Sequence, residues 1–159
     1  MPVFPDLPLP TRPGVYLHAE DVPLPRLDAA RLSAWIADVV AGYEHELGEV
    51  YCTFCSDAHL HRINVNHLDH DTYTDIITFP TAEAPVVGAD IFISTERVRE
   101  NAATFGATFE RELYRVIIHG VLHLCGLSDK GAAAAAGMRR AEEAALDRLT
   151  AHGLHTEIP

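Results

Sequence analysis

Residues 119–129 read HGVLHLCGLSD, and this stretch carries most of the information in the chain. Side chains four residues apart on a helix share one face, about 6 Å apart along the axis, so His119 and His123 can reach the same metal ion. Gly126 ends the helix with a reversal of direction, which lets Asp129 return to the same point. Three N and O ligands with an open position are typical of catalytic zinc. The stretch therefore predicts one Zn²⁺ per chain on His119, His123 and Asp129.

The two histidines also have a simpler interpretation, as surface or hydrogen-bonded core side chains of an ordinary helix. The rest of the helix is apolar, and two histidines beside such a stripe, followed by Gly and then a carboxylate, favour the metal site. The stripe is predicted to comprise Phe109, Leu113, Val116, Ile117, Gly120, Val121 and Leu124.

The motif brings no general base of its own. Metalloproteases of the HExxH type carry a catalytic Glu directly after the first His, where this chain has Gly120. Glu112, two turns earlier on the same side, has two interpretations: an outer partner of the site, or a surface salt-bridge partner of Arg115. The catalytic residues stay unassigned from sequence.

Outward from this stretch, hydrophobic patterning predicts four strands and about five helices. The strands are 15–20, 49–55, 74–79 and 89–94, and the helices are 28–47, 57–66, 95–105, 109–125 and 132–151. Their order predicts an α+β fold, with one small mixed β-sheet and the zinc-site helix packed on it. The length of 159 residues favours a single domain, 1–159.

The cysteines predict a reduced environment. Cys52 and Cys55 lie in a predicted strand, where residues three apart point to opposite faces, so buried core thiols are favoured over a CxxC redox or zinc site. With Cys125 they form no plausible disulfide framework, which fits the cytoplasm. The N-terminus lacks the pattern of a signal peptide, and no apolar stretch approaches 20 residues. A membrane partner is therefore not expected.

The charge is strongly acidic: 12 Lys and Arg oppose 23 Asp and Glu, for a net charge of −11. Such a chain is a poor candidate for unassisted binding to nucleic acid or anionic membrane, and DNA is not expected as a partner. Only the segment 111–159 is balanced, with six acids and six bases. Any contacts to phosphates are therefore expected near the predicted metal helix.

Three ordered blocks of sequence resemble the YbeY family of bacterial metal-dependent endoribonucleases, which act in rRNA maturation. The stretch HGVLHLCG at 119–126 strongly resembles the family's metal motif. Upstream, TDIITFP at 74–80 looks like the family's TDVLSFP strand, and ADIFIS at 89–94 looks like its GDIVIS strand. The resemblance spans residues 74–129, and the helix order on either side also fits.

Two positions depart from the family pattern. The family commonly has a third His as zinc ligand, where this chain has Asp129; a carboxylate is a competent ligand but makes the site harder and more anionic. The family also carries an Arg thought to act on the RNA phosphate, six residues before the TD strand, and that position is Leu68 here. His67 or His70 either substitutes for it or is an ordinary exposed loop histidine.

The resemblance implies a zinc-dependent single-strand endoribonuclease that matures the 3′ end of small-subunit rRNA and takes part in ribosome quality control. The implied partners are rRNA and the small ribosomal subunit, with a basic ribosomal protein as a further candidate. Two alternatives stay open: a ribosome assembly factor with a structural metal and marginal nuclease activity, and a metallohydrolase with a substrate other than nucleic acid.

Overall fold

A four-stranded mixed sheet forms the centre of the computed structural model, which describes residues 12–68 and 74–156. The strands are β1 (Gly14–Ala19), β2 (Glu46–Cys55), β3 (Ile76–Pro80) and β4 (Val86–Ser94). They lie in the order β1-β2-β4-β3. The first three in this order run parallel, and β3 is an antiparallel edge strand.

Five α-helices accompany the sheet in the described part of the chain. They are α1 (Ala29–Ala41), α2 (Asp57–Leu68), α3 (Thr95–Phe105), α4 (Phe109–Leu124) and α5 (Ala132–Leu146), followed by a 3₁₀ turn at Thr150–His152. The predicted α+β class, with one small mixed sheet, is confirmed. None of the described helices is long and apolar enough to span a bilayer.

The sheet buries side chains on both faces. On one face, α1 and α4 pack over the main core, which contains Trp35, Cys52 and Ile117. On the other, α2 covers a smaller cluster of Cys55, Leu60 and Ile77. The prediction that the CxxC cysteines are core thiols on opposite faces is confirmed, and burial raises the pKa of Cys52 to about 12.

The predicted helix 28–47 is wrong at its C-terminal end. The helix α1 ends at Ala41, because the Gly42 N–H bonds back to Val39 and Val40 and Glu44 then takes a left-handed φ of 60°. Leu47 and Gly48 belong to β2 instead. A side chain at Gly48 would meet Val86 on the neighbouring strand, so this glycine serves close strand packing rather than helix termination.

The other boundaries shift by smaller amounts. The last helix ends at Leu146 rather than residue 151, and the chain tightens into the 3₁₀ turn before Gly153, whose φ is 71°. The helix predicted at 57–66 continues to Leu68, and β2, β3 and β4 begin at 46, 76 and 86. Helix α4 begins where predicted, because the Thr108 hydroxyl accepts from the Arg111 N–H at 3.1 Å.

Gly120 allows α4 to pack directly on the edge strand β3. A Cβ atom at this position would lie 2.8 Å from Ile76 Cδ1 and 3.1 Å from Thr78 Oγ1. The first distance is shorter than van der Waals contact permits. The absence of a side chain therefore sets the depth of α4 on the sheet, and with it the position of the adjacent His119.

We expect Gly120→Val to lower the free energy of unfolding by about 1–3 kcal/mol, because three added carbons must displace Ile76 and Thr78. Urea denaturation of the metal-free protein measures this change. The matched control is Gly137→Val on α5, where the nearest atom to a Cβ is Arg140 Nη2 at 3.7 Å. That control is expected to change stability by less than about 0.5 kcal/mol. Equal losses in both variants would contradict the packing argument.

Candidate metal centre

The C-terminal end of α4 brings the three predicted ligands together. His119 and His123 lie one turn apart on this helix, and their Nε2 atoms are 3.0 Å from each other. The helix ends at Leu124 with Cys125 as its C-cap, and Gly126 reverses the chain with a φ of 97°. Asp129 then returns to place Oδ2 3.4 Å from the Nε2 atom of each histidine. The three donor atoms therefore converge on one point.

The donor set and spacing fit a small cation such as Zn²⁺. Zinc binds imidazole nitrogen and carboxylate oxygen at about 2.0–2.2 Å, so tetrahedral ligand atoms lie about 3.3–3.5 Å apart. The observed separations of 3.0 and 3.4 Å are close to this value. Asp129 and His123 are exposed and His119 is only partly covered, so solvent and a substrate can reach the point of convergence.

Each imidazole is fixed by an acceptor on its far nitrogen. Nδ1 of His123 lies 2.9 Å from the Leu127 carbonyl oxygen, which can only accept, so Nδ1 carries the proton. Nδ1 of His119 lies 2.6 Å from Oε2 of Glu142 and is the donor there by the same argument. Both Nε2 atoms therefore keep a lone pair directed at the point where the ligands converge.

Glu142 is the residue that sequence reasoning missed. It lies on α5, and its side chain is only 5% exposed. Burial alone would raise the pKa of Glu142, but the hydrogen bond from His119 and the charge of Arg115 lower it below its usual range. The same hydrogen bond raises the pKa of His119. One signal could have identified Glu142: it occupies the helical spacing of the buried Met138, Ala145 and Leu146.

Arg115 binds the carboxylates behind the site. Its guanidinium donates to Glu112 at 2.5 and 2.9 Å and to Glu142 at 3.2 Å, and Asp75 lies 3.9 Å away. Of the two interpretations of Glu112, the structure supports the salt bridge to Arg115, although the pair is not on the surface: Glu112 is 3% exposed. Burial raises the pKa of Asp75, against the opposing charge of Arg115.

The histidines considered as substitutes for the missing Arg are only partly described. Leu68 is the last residue of α2, and His70 lies outside the described residues. His67 packs edge-on against Phe79, with ring centroids 6.4 Å apart. Phe79 belongs to the cluster under α2, on the face of the sheet opposite α4. His67 is therefore not among the side chains that converge at the candidate metal centre.

Comparison with known proteins shows that the sequence of this chain is similar to one family. Residues 19–150 match the sequence profile described as Endoribonuclease YbeY. A protein of that name from Porphyromonas gingivalis is 48% identical over 135 residues, covering 85% of this chain and 89% of the relative. A protein of the same name from Bacteroides thetaiotaomicron is 44% identical over 133 residues. The match covers 84% of this chain and 97% of that relative.

A solved structure shares the architecture. The solution structure of TM1509 from Thermotoga maritima is similar with a TM-score of 0.60 and 26% sequence identity, covering 86% of this chain and 89% of that one. The similarity thus extends over the sheet and its helices, not only over the metal motif.

Proposed function

This chain belongs to the endoribonuclease YbeY family, and on that premise we propose that it is a zinc-dependent hydrolase that cleaves single-stranded RNA internally. Its proposed role is the maturation of small-subunit rRNA and ribosome quality control in the bacterial cytoplasm. The observation that carries the proposal is the convergence of His119, His123 and Asp129 within 4.8 Å at an accessible helix end.

The proposed ligands are Nε2 of His119, Nε2 of His123 and a carboxylate oxygen of Asp129, for one zinc ion per chain. Bound there, zinc would supply Lewis acidity toward a phosphodiester or a water molecule. The Nδ1 hydrogen bonds orient both rings and place the proton of the neutral imidazole on Nδ1, which leaves Nε2 as the metal-binding nitrogen. Asp129 contributes a negative charge that a third histidine would not, which favours harder cations.

Circular single-stranded RNA gives a sharp test of the reaction class. An endonuclease converts the circle to a linear product, whereas an exonuclease leaves it intact. We expect the purified, zinc-loaded protein to linearise the RNA circle and to leave a circular single-stranded DNA of the same sequence uncut. An intact RNA circle, after exposure to folded and zinc-loaded protein, would contradict the proposed activity.

A second candidate function is a ribosome assembly factor with a structural metal. The replacement of the family's phosphate-contacting Arg by Leu68 favours it. The circular-RNA assay separates the two candidates if it is repeated with isolated small ribosomal subunits as substrate. Binding to the subunits without cleavage of either substrate would favour the assembly factor.

The arginines of the charge-balanced segment 111–159 indicate weak binding to free RNA. Arg111 is paired with Glu143, Arg115 with Glu112 and Arg148 with Asp38, so part of their charge is already compensated. The net charge of −11 adds a general repulsion. An acidic surface is instead complementary to a basic ribosomal protein, which we propose as the contact on the small subunit.

We expect free single-stranded RNA to bind with a shallow salt dependence. Two or three phosphate contacts near α4 give a slope of about −1.4 to −2.1 in log affinity against log salt concentration. Fluorescence anisotropy across a salt series measures the slope, with and without small subunits. Tight binding with a steep slope by the isolated protein would contradict the proposed dependence on the ribosome.

Substitutions of Asp129 distinguish direct binding of zinc by this carboxylate from a general effect of its negative charge. Asp129→His keeps a donor of the family's commoner type and is expected to keep zinc binding. Asp129→Asn keeps the shape but loses the anionic oxygen, and we expect at least about 10-fold weaker binding in a chelator competition. The control is Asp147→Asn, which changes the same charge at the end of α5. Equal zinc affinity of wild type and Asp129→Asn would show that Asp129 is not a ligand.

A further inference from the structure

We infer that Glu142 is a positioning residue for the metal centre: its carboxylate, held by Arg115, fixes His119 in the tautomer and orientation that metal binding requires. The inference deepens the proposed function, since it concerns the same site. It assigns part of the metal affinity to α5, outside the 119–129 motif.

Both carboxylate oxygens of Glu142 have a partner. Oε2 accepts from Nδ1 of His119 at 2.6 Å, and Oε1 accepts from Nη1 of Arg115 at 3.2 Å. The side chain is 5% exposed, so water does not compete effectively for either oxygen. Contacts at both oxygens restrain the carboxylate from rotating away from His119.

Helix geometry explains why one carboxylate can hold both partners. Arg115 and His119 are four residues apart and share a face of α4, where Glu142 reaches them from α5. Arg115 also donates two hydrogen bonds to Glu112 on the preceding turn, which anchors the guanidinium. The chain Glu112–Arg115–Glu142–His119 therefore links the buried interior to one metal-binding nitrogen.

The two histidines differ in how they are held. His123 takes its Nδ1 partner from the backbone carbonyl of Leu127, which no side-chain substitution removes. In the described part of the chain, Nδ1 of His119 is held by the Glu142 side chain. Changing Glu142 should therefore loosen one ligand and leave His123 and Asp129 in place. The expected result is weakened rather than abolished metal binding.

The first test is zinc affinity, measured by competition with a chromogenic chelator. Loss of an outer partner of a metal-binding histidine typically costs 10–100-fold in affinity. We expect Glu142→Gln, which keeps an acceptor oxygen, to weaken zinc binding by about 10-fold, and Glu142→Met, which keeps none, by about 100-fold. The matched control is Glu143→Gln, the adjacent exposed acid that pairs with Arg111 at 2.8 Å; it is expected to bind zinc as wild type does.

The second test measures directly which nitrogen of the His119 ring carries the proton. Nitrogen-15 NMR of the metal-free protein, at a pH where the imidazole is neutral, distinguishes protonation at Nδ1 from protonation at Nε2. We expect the Nδ1–H form in wild type and in Glu143→Gln, and a mixture of both tautomers in Glu142→Met. A purely structural contribution of Glu142 would lower stability without changing the tautomer.

The outcomes decide the inference separately from the proposed function. Wild-type zinc affinity and an unchanged His119 tautomer in folded Glu142→Gln and Glu142→Met would overturn it. If Glu142→Met does not fold, the near-isosteric Glu142→Gln decides alone, by its affinity relative to Glu143→Gln. Failure of the wild-type protein to cut circular RNA would overturn the proposed activity and leave these metal-binding results standing.

Discussion

Replacing His123 with alanine is expected to remove stoichiometric zinc and to reduce cleavage of single-stranded RNA by more than about 100-fold. The estimate exceeds the 10–100-fold range for outer partners, because the substitution deletes a ligand itself. His119→Ala should have the same effect, since the two Nε2 atoms lie 3.0 Å apart and are proposed to bind the same ion. Metal analysis of the purified variants and the circular-RNA assay measure the two consequences.

The matched control is His18→Ala. This histidine lies on β1 with its side chain 66% exposed, far along the sheet from the edge strand that supports α4. Zinc content and cleavage should both stay at the wild-type level in this variant. Full zinc occupancy in either His119→Ala or His123→Ala would show that the ligands are assigned wrongly.

Arg115→Ala is expected to cause the largest loss of stability, about 3–5 kcal/mol, because it leaves buried carboxylates without their cation. The side chains of Glu112 and Glu142 are 3% and 5% exposed, and both bind this guanidinium. Chemical denaturation of the metal-free protein measures the effect independently of zinc. Metal affinity should fall as well in the fraction that folds, since Glu142 loses the group that holds it.

The comparison for this loss is Arg148→Ala. Arg148 pairs with Asp38 at 2.8 Å, but its side chain is 52% exposed, so the pair is screened by water. Removing it should cost no more than about 1 kcal/mol. A similar small cost for Arg115→Ala would mean that the carboxylates behind the metal centre do not depend on this arginine.

The fold could be predicted from the sequence where one periodicity holds over a whole element. Helix α4 is such a case, with a Thr108 cap, an apolar stripe and a glycine after its end. The predicted helix 28–47 failed because Tyr43 and Leu47 continue a helical spacing that the chain does not follow. The Gly42 turn and the left-handed Glu44 are local backbone events, and β2 then places Leu47 by strand alternation.

The candidate site was also predictable only in part from the sequence. Helical spacing predicted that His119 and His123 share a face of α4, and the reversal at Gly126 predicted the return of Asp129, because all three lie within one helix and its following turn. Glu142 reaches His119 only through the docking of α5 on α4, a tertiary contact that spacing along the chain does not encode. The burial of Glu112 beside Arg115 has the same origin, which is why the sequence left their salt bridge as one of two interpretations.

Titration of zinc into the metal-free protein, with cleavage of circular single-stranded RNA followed at each step, tests the zinc-dependent nuclease most directly. We expect no cleavage before zinc is added, a rise in proportion to the zinc supplied, and a plateau at one equivalent per chain. The His123→Ala protein should stay inactive throughout the same titration. Undiminished cleavage by wild-type protein that contains no detectable metal would contradict the account.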